Sequence, residues 1–159
     1  MIRHTFILLA AMSTLVFVSL GSGEDAGAES VTPSDSLAEN KDTSKEFTTK
    51  VASAKIKRGA EGLATLTIVA GKGFKWNKEY PAKVTFEGAP KHVTLAKTQL
   101  KQFGGDFKTS DKQAAVAIKM TGTAAGKETL KAKAKFSVCN DTTCVIREAN
   151  IDVAVNVTK

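Results

Sequence analysis

The sequence predicts an all-β protein whose folded part is an immunoglobulin-like sandwich of two antiparallel sheets. Apolar and polar residues alternate over five separate segments, and clusters of glycine, or of asparagine and aspartate, separate these segments. The chain has 159 residues, which suits one domain of ordinary size. Its composition, with 42% hydrophobic and 25% charged residues, is that of a globular protein.

Each alternating segment keeps its apolar residues on one face, which is the pattern of half-buried antiparallel strands. The segments are 64–68, 82–86, 116–120, 130–138 and 151–157. Together with the shorter runs, about seven to nine strands fit into residues 47–159, as in a two-sheet sandwich. The inter-sheet disulfide of antibody domains is excluded, because the two cysteines are only five positions apart.

Residues 1–23 have the order of a secretory signal peptide, with a basic start, an apolar run and then small residues. The apolar run, from Thr5 to Leu20, is short for a membrane span of about 20 residues. We expect a cleaved leader, cut near residues 21–23 or after Ala28, and keep an uncleaved anchor as the alternative. Export to the periplasm or beyond would place the chain where a disulfide persists.

Residues 24–46 are expected to be a disordered acidic linker, since they hold seven acidic residues and few apolar ones. From Phe47 onward the chain has 20 of its 23 basic residues and nine of its 16 acidic ones. The domain therefore carries a charge of +11, although the whole chain carries +7. Such a surface favours an acidic partner, an anionic envelope surface or a polyanion, and it also promotes solubility. Nucleic acid is not expected, because the basic residues form no motif with interleaved aromatic residues.

Catalytic and cofactor motifs are absent from the sequence. It contains no CxxCH, GxGxxG, GxxxxGK[ST], HExxH or GxSxG string, and no nucleophile–base pair or carboxylate pair is discernible. Two cysteines and His92 are too few for a structural zinc site, which needs four ligands. We therefore expect no cofactor, no metal ion and no hydrolytic activity.

Cys139 and Cys144 enclose the four residues Asn140 to Thr143, between the longest alternating segment and the last one. A turn of four residues is common between antiparallel strands. Residues that flank such a turn face each other with Cα atoms about 4.5 to 5.5 Å apart, which is within disulfide range. An intramolecular Cys139–Cys144 bond is therefore expected.

The residues themselves leave open whether this bond is structural or redox-active. Counting along the strands places both cysteines on the outer face, where a partner thiolate could reach them. A loop of about six residues gains only about 2 kcal/mol from a disulfide by the chain-entropy model, so stability alone is a weak reason for it. Many hairpin disulfides are nevertheless purely structural.

The cysteine hairpin resembles that of the amino-terminal periplasmic domain of the DsbD family of thiol:disulfide interchange proteins. The resemblance covers residues 51–157 and rests first on the segment Val-Cys-Asn-Asp-Thr-Thr-Cys-Val-Ile at 138–146. Upstream, Gly73-Phe74-Lys75-Trp76-Asn77 resembles the family's glycine and aromatic strand beside the active site. Lys101-Gln102-Phe103-Gly104-Gly105 falls where the family has its cap loop.

The resemblance implies an exported module that relays electrons between thioredoxin-like or other thiol–disulfide proteins of the cell envelope. Cys139 and Cys144 would be the exchanging pair, Phe103 would cap it, and Phe74 or Trp76 would line the site. The alternative, from a different class, is a non-catalytic binding or adhesion sandwich whose hairpin disulfide is structural. In either case we expect a monomer without a small-molecule cofactor.

Overall fold

The computed structural model of the protein describes residues 43–159, so the predicted leader and most of the predicted linker lie outside the described residues. This part of the chain contains strands and a single 3₁₀ turn, and none of it forms a helix long and apolar enough to cross a membrane. The strands are β1 (Phe47–Ala52), β2 (Ala54–Lys57), β3 (Glu61–Ala70), β4 (Lys75–Trp76), β5 (Lys83–Glu87), β6 (Val93–Leu95), β7 (Gln99–Lys101), β8 (Phe107–Thr109), β9 (Gln113–Gly122), β10 (Gly126–Cys139) and β11 (Cys144–Thr158).

The strands form two sheets that pack face to face, which confirms the predicted sandwich. In the first sheet β1, β3 and β9 are neighbours, and both β6 and β8 pair with the far edge of β9. In the second sheet the order is β2, β11, β10, β5 and β7, and β4 pairs with the end of β10. All pairs are antiparallel except that of β2 with β11.

The core lies between the sheets and consists of the apolar residues that alternate in the sequence. All five alternating segments are strand segments or lead directly into one, and their apolar positions are buried. Burial of this many side chains is the main force that stabilises the fold, at about 1.5 to 3 kcal/mol for each large side chain. Among the side chains with almost no exposed surface are Leu66, Ile68, Val84, Val116, Ile118, Phe136, Val138 and Val153.

Alternation did not reveal the short strands β2, β4, β6, β7 and β8, which have two to four residues each. A period of two cannot be recognised over so few positions. These strands owe their conformation to pairing with a longer neighbour, as β4 does with the last two residues of β10.

The folded part begins before Phe47, which corrects the inner boundary of the predicted linker. Ser44 to Glu46 form a turn that leads into β1, and the Glu46 side chain is buried. Arg147 of β11 donates hydrogen bonds to both carboxylate oxygens of Glu46. The Gly71 N–H donates to the Glu46 carbonyl at 2.7 Å, and a Cβ on Gly71 would collide with the Lys45 carbonyl. The close approach of this turn therefore requires glycine at position 71.

Candidate functional site

The two cysteines form a disulfide at the end of the β10–β11 hairpin. Cys139 is the last residue of β10, Cys144 is the first of β11, and they are directly opposite in the ladder. Their Cα atoms are 3.9 Å apart, somewhat closer than a typical facing pair. The predicted bond is therefore present.

The Asn140 side chain organises the turn between the cysteines. Its Oδ1 accepts hydrogen bonds from the N–H groups of Thr142 at 3.0 Å and Thr143 at 2.8 Å, and from the Thr142 hydroxyl at 3.0 Å. The Asn140 N–H donates to the Thr143 carbonyl at 2.9 Å. An asparagine side chain that bonds to the backbone two residues ahead is a common turn device, and here it holds the hairpin independently of the disulfide.

The two cysteines differ in exposure. Cys144 is exposed, as the counting along the strands predicts, whereas Cys139 is half-buried. The difference arises because β10 has neighbours on both sides at this end: Cys139 faces Cys144 across one ladder and Lys75 of β4 across the other. The segment after β4 adds cover, since the Asn77 N–H donates to the Ser137 carbonyl at 3.0 Å.

The three aromatic residues predicted to line the cysteine site have different environments. Trp76 is a core residue that stacks on Phe136, with ring centroids 5.4 Å apart. Phe74 is half-buried and packs against the core. Phe103 is 68% exposed, and the groove that it lines includes neither cysteine. Its role as a cap over the disulfide stays a prediction.

Phe103 lines a groove on the outer face of the second sheet that the sequence did not reveal. We call it the basic groove, and its lining combines apolar and cationic side chains. Its lining residues are Tyr80, Pro81, Ala82, Lys83, Gln99, Lys101, Phe103, Gly104 and Lys135. The sequence has no signal for this site, because its residues come from three separate segments that only strand pairing brings together.

Three lysines form a row across the basic groove. Lys83 of β5 is directly opposite Lys101 of β7 on one side and Lys135 of β10 on the other. Residues that face each other in an antiparallel ladder have Cβ atoms about 4.5 to 5.5 Å apart, and like charges there are destabilising. We call these residues the lysine row.

Acidic residues compensate the lysine row unevenly. Lys135 forms an ion pair with Glu148 of β11 at 3.0 Å. The hydrogen bond from Lys135 lowers the pKa of Glu148, and the positive charges of Lys135, Lys133 and Lys83 lower it further. The Glu148 hydrogen bond raises the pKa of Lys135, with a smaller contribution from Tyr80. Within residues 43–159, neither Lys83 nor Lys101 has a carboxylate within ion-pair distance. The positive charge of the groove is thus concentrated on these two residues.

The turn that carries Phe103 is fixed from both sides. The 3₁₀ turn spans Gln102–Gly104, and the Gln102 side chain donates to the carbonyls of Lys78 at 2.6 Å and Tyr80 at 3.0 Å. The same side chain accepts a hydrogen bond from the Trp76 indole N–H at 2.9 Å. After the turn, Asp106 accepts hydrogen bonds from the Lys101 N–H at 2.9 Å and from Lys97 Nζ at 2.5 Å.

In the described part of the chain, no group of three or more histidine, cysteine or acidic side chains is arranged to hold a metal ion. His92 lies in the loop before β6. Its ring Nδ1 is 3.2 Å from the Ala124 carbonyl, and its backbone N–H donates to the Glu128 carboxylate.

Comparisons with known proteins identify no family. No family model matches the chain, and no curated protein matches it. Solved structures with some similarity include domains 4 and 5 of the S-layer protein SbsC, at 15% identity and a TM-score of 0.34, over 70% of this chain and 51% of that one. The chain thus spans about half of that S-layer fragment.

Two further structures have similar scores. The major subunit AggA of aggregative adherence fimbriae type I from Escherichia coli matches at 8% identity and a TM-score of 0.38, over 70% of this chain and 94% of that one. A PapD-like domain of human CEP192 matches at 11% identity and a TM-score of 0.38, over 86% and 99%. Similarity this low carries no argument about function. The class of protein that the fold and the site define is a disulfide-bonded, immunoglobulin-like β-sandwich domain with a basic outer face.

Proposed function

We propose that this protein is a non-catalytic binding domain of the cell envelope that holds an acidic partner against the outer face of its second sheet. The observation that carries this proposal is the concentration of lysines there: Lys131, Lys133 and Lys135 share one face of β10, Lys83 is opposite Lys135 on β5, and Lys101 is opposite Lys83 on β7. Attraction between such a surface and an acidic partner speeds association and depends on salt. The hairpin disulfide fits an oxidising compartment and serves as a staple.

Binding of poly-L-glutamate by the purified protein tests this proposal. The full-length sequence is expressed, and mass spectrometry identifies the processed amino terminus. We expect measurable affinity at about 0.1 M salt that falls at least tenfold at about 1 M, because the Debye length shrinks from about 10 Å to about 3 Å. The Cys139→Ser/Cys144→Ser variant should unfold at lower denaturant but bind equally well. Absence of binding at low salt would rule the proposal out.

A second function is favoured by one specific observation, the exposure of Cys144. As in the DsbD-like relay that the cysteine hairpin resembles, an incoming thiolate would attack the Cys144 sulfur and form a mixed disulfide. The Cys139–Cys144 bond would break, and Cys139 would leave as a thiolate. The second thiolate of the partner would then attack the partner's own sulfur in the mixed disulfide, so that Cys144 leaves as a thiolate and the partner becomes a disulfide. Cys139 and Cys144 would be left as a dithiol that can reduce the disulfide of an acceptor protein by the same steps in reverse.

The reduction potential of the Cys139–Cys144 pair separates the two functions. A midpoint between about −120 and −270 mV is the range of exchange proteins, and below about −300 mV is the range of structural disulfides. The staple role predicts the lower range. As a paired test, Cys139→Ser, which leaves the exposed thiol, should trap a thioredoxin-like protein if the relay operates, and Cys144→Ser should trap less.

A further inference from the structure

We infer that the basic groove is a recognition site for a peptide segment that carries both carboxylates and a large apolar side chain. This inference rests on the proposed binding function and assigns the specificity to a defined place. Lys83 and Lys101 would bind the carboxylates, and Phe103 with Tyr80 would cover the apolar side chain.

The charge of the groove indicates an anionic ligand. Lys83 and Lys101 face each other without a carboxylate partner among the described residues. The repulsion between their charges therefore destabilises this pair of strands. A bound carboxylate between them would remove this repulsion. Lysine is a flexible point charge with three donors, which suits carboxylates at variable positions along a chain.

The apolar part of the groove indicates that the ligand is more than a polyanion. Phe103 has 68% of its surface exposed, the largest exposed fraction among the large hydrophobic side chains of residues 43–159. Tyr80 and Pro81 line the same groove. When an apolar group of a ligand covers such an exposed aromatic side chain, the burial of apolar surface stabilises the complex by about 25 cal/mol for each Å².

The groove is also preorganised, because the turn beneath Phe103 does not depend on a ligand. The Gln102 side chain bonds to the carbonyls of Lys78 and Tyr80 and to the Trp76 indole, which ties the turn that carries Phe103 to the segment that carries Tyr80. A rigid site loses less conformational entropy on binding than a mobile loop does. The exposure of Phe103 is therefore a fixed feature of the fold.

A peptide fits the groove better than an anionic polysaccharide. Sugar hydroxyls need acceptors as well as donors, and the charged side chains of the lining are all lysines. The other polar side chains of the lining are those of Tyr80 and Gln99, and the Gln99 amide nitrogen already donates to the Thr85 hydroxyl at 3.2 Å. β7 is the terminal strand of the second sheet, but the outward N–H and carbonyl of Lys101 already bond to Asp106, so the peptide would be held through its side chains.

The inference is tested with two probes, poly-L-glutamate and a soluble peptide of glutamates with interspersed leucines, measured by calorimetry. We expect the glutamate–leucine peptide to bind at least tenfold more tightly. Phe103→Ser should abolish this preference while leaving affinity for poly-L-glutamate unchanged. The double variant Lys83→Glu/Lys101→Glu should lower the affinity for the glutamate–leucine peptide at least tenfold.

The matched control is Lys55→Glu/Lys57→Glu, which makes the same change of charge on exposed residues of β2, at the opposite edge of the same sheet. This control variant should lower the affinity for the glutamate–leucine peptide less than threefold. Equal losses in both double variants, or no preference for the leucine-containing peptide, would overturn the inference and leave the proposed function intact. Tighter binding of polygalacturonate than of the peptide would also overturn it. Failure of poly-L-glutamate to bind at low salt would refute the proposed function itself.

Discussion

Glu46 and Arg147 are 101 positions apart in the chain, and their ion pair fixes where the folded domain begins. Their side chains are only 10% and 20% exposed. The hydrogen bond with Glu46 raises the pKa of Arg147, so the guanidinium stays charged throughout the accessible pH range. Arg147 lies on the inward row of β11, in phase with Ile151 and Val153, so the pair is on the core side of this strand.

Arg147→Ala should destabilise the protein by about 1 to 3 kcal/mol, between the cost of breaking an exposed pair and that of breaking a buried one. The reason is that the Glu46 carboxylate, only 10% exposed, loses both hydrogen bonds from the guanidinium. Urea unfolding at neutral pH measures the change. Lys131→Ala, which breaks the exposed pair with Asp152, is the control and should cost less than about 1 kcal/mol. Equal effects would contradict a structural role for Glu46.

Single residues also explain where sequence reasoning stopped. Counting along the strand placed Cys139 on the outer face, but its exposure depends on β4 and Asn77, which no local pattern connects to it. The residues beside Phe103 in the sequence were enough to predict it as a site residue. Its neighbours in the groove, Tyr80 and Lys83, could not be predicted, because strand register brings them there.

At the scale of elements, the connection from β7 through the 3₁₀ turn to β8 is held by one carboxylate. Asp106 accepts from Lys97 Nζ and from the Lys101 N–H, and these two hydrogen bonds, in that order, lower the pKa of Asp106. The Gly105 N–H donates to the Gln102 carbonyl, and Gly105 itself has a φ of 77°, a left-handed conformation that glycine adopts without strain. This connection positions Phe103.

The depressed pKa of Asp106 makes its contribution to stability depend on pH. A carboxyl group whose pKa is lower in the folded state stabilises the protein above its unfolded pKa of about 3.9, and the contribution is lost as the pH falls through the folded value. Asp106→Asn should therefore be less stable than the parent at about pH 7, and the difference should shrink at about pH 3. Urea unfolding at both pH values tests this. Asp152→Asn, in an exposed pair, should change stability little at either pH. An Asp106→Asn deficit that does not change with pH would contradict the prediction.

The open edge of β11 is another feature of this scale. β2 pairs only with Val155 to Thr158, so residues 144–154 have no strand on that side within the described range. Such edges promote aggregation, and an inward-pointing charge is a known protection against it. Arg147, within the open stretch, provides that charge.

At the scale of the whole molecule, charge and hydrophobicity are separated between inside and outside. The buried residues are almost all apolar, and the only polar or charged residues buried within residues 43–159 are Glu46 and Ser137. A domain of +11 attracts every anionic surface of the envelope to some extent. For this reason the control with Lys55 and Lys57 matters: it distinguishes the field of the whole domain from a site with defined neighbours.

The fold class and most of the core were determined by the sequence itself, because a two-residue period over five to nine positions is a local property that strands preserve. The hairpin disulfide was predictable for the same reason, since both cysteines belong to one turn. Only the tertiary structure decided which strands are neighbours, and with that the row of Lys101, Lys83 and Lys135, the exposure of Phe103 and the burial of Glu46. These features depend on pairing between segments far apart in the chain, and the free energy of such pairing comes from burial and register over the whole sandwich, which no local pattern records.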